Sequence, residues 1–122
     1  MTAKDLLNQG VDLARRRDYA GAIALFNTVI EYLPNYTKAY YNRGRARYDL
    51  GNYGGAIEDF SWAIHLTPGY ASAYLNRGNA QRYLGYVDAA LEDFERGIQL
   101  APLSARGYCS RGLLRLDLDD YD

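Results

Sequence analysis

The chain has 122 residues, 48% of them apolar, which fits a single packed domain. A formal net charge of −1 gives no global pull toward nucleic acid or an anionic membrane, and no apolar run approaches the ~20 residues that cross a bilayer. The lone Cys109 permits no internal disulfide and offers no metal cluster, and the start MTAKDLLNQG lacks the apolar core and cleavage site of a secretory leader. A cytoplasmic location is therefore expected.

Along the chain the same residue types return every 34 residues. The first block, 3–36, carries Gly10, Ala22, Phe26, Ile30 and Pro34. The second, 37–70, carries Gly44, Ala56, Phe60, Ile64 and Pro68, and the third, 71–104, carries Gly78, Ala90, Phe94, Ile98 and Pro102. A half-block, 105–122, opens in the same way and reaches Gly112. Small residues at fixed points of such a period mark places where two helices approach closely, and the large residues between them fill the space.

Each block reads as a helix A, a short turn and a helix B. In the first block Arg17 stands at the turn. In the second, helix A is expected over Lys38–Leu50, stopped by Gly51, which has no Cβ to oppose a left-handed conformation. Asn52 then caps a helix B that runs to about Thr67, and Pro68 ends it because it has no N–H and its ring excludes further helix. The third block repeats this with Gly85 and Pro102, whereas Asp119 stands at the fourth turn. The first and last turns, which lack glycine, are expected to be looser than the middle two. In helix B, Ile57, Phe60, Ala63, Ile64 and Leu66 form a helical stripe that reads as core.

These motifs, three in register plus half of a fourth, resemble the tetratricopeptide repeat family over nearly the whole chain. The family's large residue at repeat position 4 is matched by Leu6, Tyr40, Tyr74 and Tyr108, and its small residue at position 27 by Val29, Ala63 and Gly97. The resemblance implies one all-α domain over 1–122, a right-handed superhelix of three repeats plus a closing helix. It also implies a concave groove lined by helix A, with positions 2, 5, 6, 9, 12 and 13 facing a ligand.

At those positions stand Lys4, Lys38 and Arg106; Tyr41; Asn8, Asn42 and Asn76; Arg45 and Asn79; and Arg82. An amide carries both a donor and an acceptor, so asparagines spaced one per repeat can pair with an extended peptide backbone. The cations suit carboxylates, and Tyr41 adds apolar contact. Position 7 holds Arg43, Arg77 and Arg111, whose stems are expected to pack while the guanidinium reaches water or a carboxylate. Basic residues gather on A helices and acidic ones on B helices, which predicts a basic concave face and an acidic convex one. The family's clamp for the terminal carboxylate of heat-shock chaperones is not reproduced. Its positions read Leu7, Val11, Asn42, Ser72 and Asn76 from the first block, and Tyr41, Arg45, Asn76, Arg106 and Ser110 from the second.

For catalysis the inventory is poor. His65 is expected to face outward, Cys109 has no histidine to activate it, and Glu58/Asp59 and Glu92/Asp93 read as solvated surface because sequence neighbours do not face each other on a helix. The chain reads as a non-enzyme without cofactor or metal. Its expected function is that of a protein–protein interaction scaffold or adaptor binding an extended, acidic peptide. An RNA-binding α-solenoid is the alternative, disfavoured by the strict period of 34 and the helix-B carboxylates. Another is a piece of a longer array, or a homo-oligomer formed through the apolar last helix with Leu113, Leu114, Leu116 and Leu118. Trp62 stands at position 26, on the outer face of helix B, where Thr28 and Arg96 stand in the other blocks. Such a residue is expected to be partly exposed and to mark a second contact surface, with Tyr70 or Arg96 as candidate neighbours for its ring.

Overall fold

The computed structural model describes residues 1–119. Over these the chain forms seven helices: α1 (Ala3–Arg15), α2 (Tyr19–Tyr32), α3 (Thr37–Asp49), α4 (Tyr53–Leu66), α5 (Ala71–Tyr83), α6 (Val87–Leu100) and α7 (Ala105–Asp119). The odd-numbered helices are the A helices and the even-numbered ones the B helices. Among the described residues no helix is long and apolar enough to cross a membrane. Two compact units are present, Met1–Pro68 with α1 to α4 and a second from Gly69 with α5 to α7.

Each A–B pair closes on one contact. A Cβ placed on Gly10 would lie 2.5 Å from the Phe26 ring, on Gly44 2.8 Å from Phe60, and on Gly78 2.5 Å from Phe94. The rings therefore rest on bare backbone, and all three phenylalanines are fully buried together with Ala22, Ala56 and Ala90. This contact accounts for glycine and phenylalanine recurring in step.

Local signals set the helix ends. Thr2 and Asp5 form a capping box on α1. The Thr2 backbone N–H and hydroxyl hold the Asp5 carboxyl below its ordinary value. A depressed carboxyl contributes above its unfolded pKa, so this cap is complete at neutral pH and is lost as pH falls through the lowered value. Asp18 and Asn52 accept from the backbone N–H of Gly21 and Gly55, at 2.9 and 3.0 Å, to cap α2 and α4. The B helices end at Leu33, Thr67 and Ala101, each followed by the proline of its block.

The first A–B turn is not looser than its counterparts. Arg17 adopts φ 65°, in the same left-handed region as Gly51 and Gly85 at φ 82°. The hydrogen bonds correspond as well: Asp18 N–H donates to Leu13 O at 2.9 Å, as Asn52 does to Arg47 O at 2.8 Å and Tyr86 to Gln81 O at 2.9 Å. Packing of α1 on α2 imposes the turn, and Arg17 carries the strain that glycine avoids. The turn expected at Asp119 lies outside the described residues, since α7 runs to that residue.

Arg17→Gly removes the left-handed penalty but adds freedom to the unfolded chain. The net expected gain is about 0.5–1 kcal/mol, read as a higher urea midpoint with an unchanged m-value.

Candidate functional site

Charge on the A helices separates into two populations. The first points at the B helices. Arg43 on α3 grips Asp59 on α4 with two donors, Nη2 to Oδ1 at 2.7 Å and Nε to Oδ2 at 3.0 Å. Arg47, one turn along α3, adds Nη1 to Oδ2 at 3.0 Å. The second unit repeats the pair, with Arg77 Nε and Nη2 each 2.7 Å from an oxygen of Asp93. That bond raises the Arg77 guanidinium above its ordinary range. Arg111 on α7 meets Glu95 at 3.0 Å, and Arg43 also donates to Asn27 at 2.8 Å.

These pairs correct one expectation. Asp59 and Asp93 are not solvated surface: they are 1% and 5% exposed. Their neighbours Glu58 and Glu92 are exposed. Adjacent residues on a helix point about 100° apart, so only one of each pair turns toward helix A. The signal was present in the sequence. Arg43/Asp59 and Arg77/Asp93 share a spacing of 16, and the first block replaces both partners together with Gln9 and Leu25.

The second population faces away from the B helices. Lys4 and Asn8 on α1, and Lys38 and Arg45 on α3, are exposed, and Asn42 is half-buried beside them. In the first unit α1 and α3 touch. A shallow pocket of about 260 Å³ is lined by Val11, Ala14, Arg15, Asn42, Arg45 and Asp49. Asn42 donates through Nδ2 to Lys38 O at 2.8 Å, within its own helix. In the second unit Arg106 on α7 donates to Asn76 Oδ1 on α5. Asn79 and Arg82 stand half-buried on α5, and the Arg82 guanidinium lies 5.5 Å from the Tyr83 ring.

Tyr41 is placed differently from the rest. It is buried, its ring packs on Phe60 at 5.9 Å between centroids, and the Arg45 guanidinium covers it at 5.9 Å. Leu7 and Leu75, at the same repeat position, are buried too, so at these three places the row packs in the core, whereas Cys109 at the fourth is exposed. Trp62 on α4 is 53% exposed. Its ring stacks on Tyr40 at 6.0 Å and meets His65 edge-on at 5.7 Å.

Helix pairs repeated at a fixed period, closed by glycine–phenylalanine contacts and presenting one row of polar side chains per A helix, define a helical-repeat protein. The sequence profile of the tetratricopeptide repeat matches residues 7–71, and a second such profile matches 71–104. The chain belongs to the tetratricopeptide repeat family and has its all-α fold. No curated protein sequence matches it.

Among solved structures it is similar to the first repeat domain of Spaghetti (RPAP3) bound to HSP90 peptide SRMEEVD. The two are 25% identical, with 96% of this chain and 93% of that one covered at a TM-score of 0.91. The first such domain of human RPAP3 is 24% identical over 97% and 93% of the two chains, with a TM-score of 0.92. The Arabidopsis OM64 domain is 22% identical over 94% and 95%, with a TM-score of 0.91.

Removing the Asp59 carboxylate leaves Arg43 and Arg47 without a countercharge, with Asn27 still accepting from Arg43. Because Arg43 and Arg47 keep some access to water, with side chains 16% and 25% exposed, Asp59→Ala is expected to cost about 3 kcal/mol, the low end for a broken buried pair. Glu58→Ala, one residue away, should stay within about 0.5 kcal/mol of the parent. Chemical denaturation of both variants measures the contrast.

Proposed function

We propose that the chain is a protein-interaction scaffold whose A helices hold an extended, acidic peptide. The sorting of cations carries this reading. Arg43, Arg47, Arg77 and Arg111 are engaged by helix-B carboxylates in ion pairs. Lys4, Lys38, Arg45 and Arg106 remain exposed on the A helices. A face carrying one sign of charge attracts the opposite sign.

Within the first unit, Lys38 and Arg45 flank Asn42, whose Oδ1 can accept from a peptide N–H. Asn8 offers the same groups one helix earlier. In the second unit Asn76, Asn79, Arg82 and Arg106 take the corresponding roles. The similar Spaghetti domain is bound to SRMEEVD, an acidic segment, which supports a ligand of this chemistry. Because the clamp positions hold Leu7, Val11 and Ser72, the cations here read acidic side chains along the peptide and not its terminal carboxylate. The absence of a catalytic constellation in the sequence agrees with a scaffold.

Two outcomes separate this reading from its rivals. SRMEEVD with a free and with an amidated C-terminus should bind with equal affinity in calorimetry, and Lys38→Glu/Arg45→Glu should weaken both by about tenfold or more. Strong dependence on the free carboxyl end would point to a terminal clamp, and an indifferent double variant would remove the A-helix face from binding.

The exposed Trp62, stacked on Tyr40, marks a second contact surface on the same scaffold, on α4 and apart from the A-helix row. Trp62→Ala should change the sedimentation coefficient or partner retention while helicity is unchanged. A monomeric parent whose variant retains every partner would leave Trp62 as surface packing.

A further inference from the structure

The two units place the same cleft beside their buried aspartate, and they fill it differently. In the first unit the cleft holds about 580 Å³ and is lined by Arg43, Arg47, Asp59 and Trp62 among others. Arg47 reaches into it, so that Asp59 Oδ2 accepts from two residues, Arg43 Nε and Arg47 Nη1, each at 3.0 Å. In the second unit the residue matching Arg47 is Gln81. There the cleft measures about 750 Å³, and among the described residues Asp93 Oδ2 accepts from Arg77 Nε alone and Gln81 Oε1 is buried with no hydrogen-bond partner.

A buried acceptor without a donor is costly, by roughly 1–3 kcal/mol for its desolvation, and here it stands beside a carboxylate that the other unit serves with a second guanidinium. Four carboxylates and two guanidinium groups line this cleft, with Asp88 and Glu92 exposed at its rim. Of the two basic groups, Arg77 is committed to Asp93, and Arg96 donates to Gln99 at 3.2 Å. The cleft is therefore shaped, charged and provided with acceptors for a planar cation, and its volume exceeds that of the guanidinium alone.

We infer that the α5–α6 cleft is a binding site for an arginine side chain of a partner polypeptide, whose guanidinium takes the place that Arg47 fills in the first unit. It donates to Asp93 Oδ2 and Gln81 Oε1, and the flanking peptide runs past Asp88 and Glu92. A guanidinium presents several donors in one plane and suits two neighbouring acceptors, whereas an ammonium is a compact point charge. The ligand is basic and the site lies between an A and a B helix of one repeat, so it is distinct from the A-helix face that takes acidic segments.

The probe is the blocked tripeptide acetyl-Gly-Arg-Gly-amide, titrated into the full chain while the Gln81 side-chain amide is followed by NMR. A saturable shift is expected, with the lysine analogue and free arginine both weaker. Gln81→Arg supplies the missing guanidinium internally and should abolish the shift at neighbouring α5 and α6 amides, weakening binding by about tenfold or more. The same variant should keep parental helicity and unfold at an equal or higher urea concentration, so that lost binding cannot be lost folding. No saturable shift in the parent, or undiminished binding to Gln81→Arg, would overturn the site. Free arginine binding as tightly as the tripeptide would overturn its assignment to a polypeptide.

Discussion

A phenylalanine ring packed against glycine backbone sets the distance between the two helices of each pair, and much else depends on that distance. With a methyl group in place of the glycine hydrogen where an L residue carries its Cβ, the ring would have to move, since the Cβ would come within 2.5–2.8 Å of it. At the observed spacing, helix A approaches helix B closely enough for an arginine of one to reach a carboxylate of the other, 16 residues away, with two hydrogen bonds. The same closeness forces the A–B turn into a left-handed residue, whether glycine or Arg17 occupies it. Packing, ion pairing and turn geometry are thus consequences of one steric match.

That match also decides which charges are available for recognition. A guanidinium one turn nearer the partner helix is drawn into the repeat and held by a carboxylate that water barely reaches. One on the opposite side of helix A stays in solvent. A sequence almost balanced in charge thereby keeps exposed cations on its A helices and exposed carboxylates on its B helices.

The fold was legible because its signals are periodic. Three prolines, three phenylalanines and four glycines in step locate every helix pair, and α3 was placed within a residue of its observed ends. Composition was a poorer guide at the turn, where Arg17 gave no local hint that α1 and α2 would impose a glycine-like conformation. On the A helices the exposure of Lys38 and Arg45 is legible in the sequence, whereas side-chain direction is less so. Tyr41 shares a repeat position with Leu7 and Leu75, and its burial beside them follows from the apolar character of that row, which its hydroxyl obscures. The burial of Asp59 and Asp93 is legible only in their recurrence with arginine 16 residues earlier, which their adjacency to the exposed Glu58 and Glu92 masks.

The buried pair also addresses a difficulty peculiar to a chain made of near copies. Any A helix could in principle dock on the wrong B helix, since every pair offers the same glycine and phenylalanine, and such exchange is a characteristic failure of repeat proteins. The first block holds Gln9 and Leu25 where the second holds Arg43 and Asp59. Seating α1 against α4 would bring Gln9 to a carboxylate that requires a cation, while α3 against α2 would press a guanidinium onto leucine. The first pair thus carries a chemical address different from that shared by the other two, and α1 and α2 are matched to each other by it.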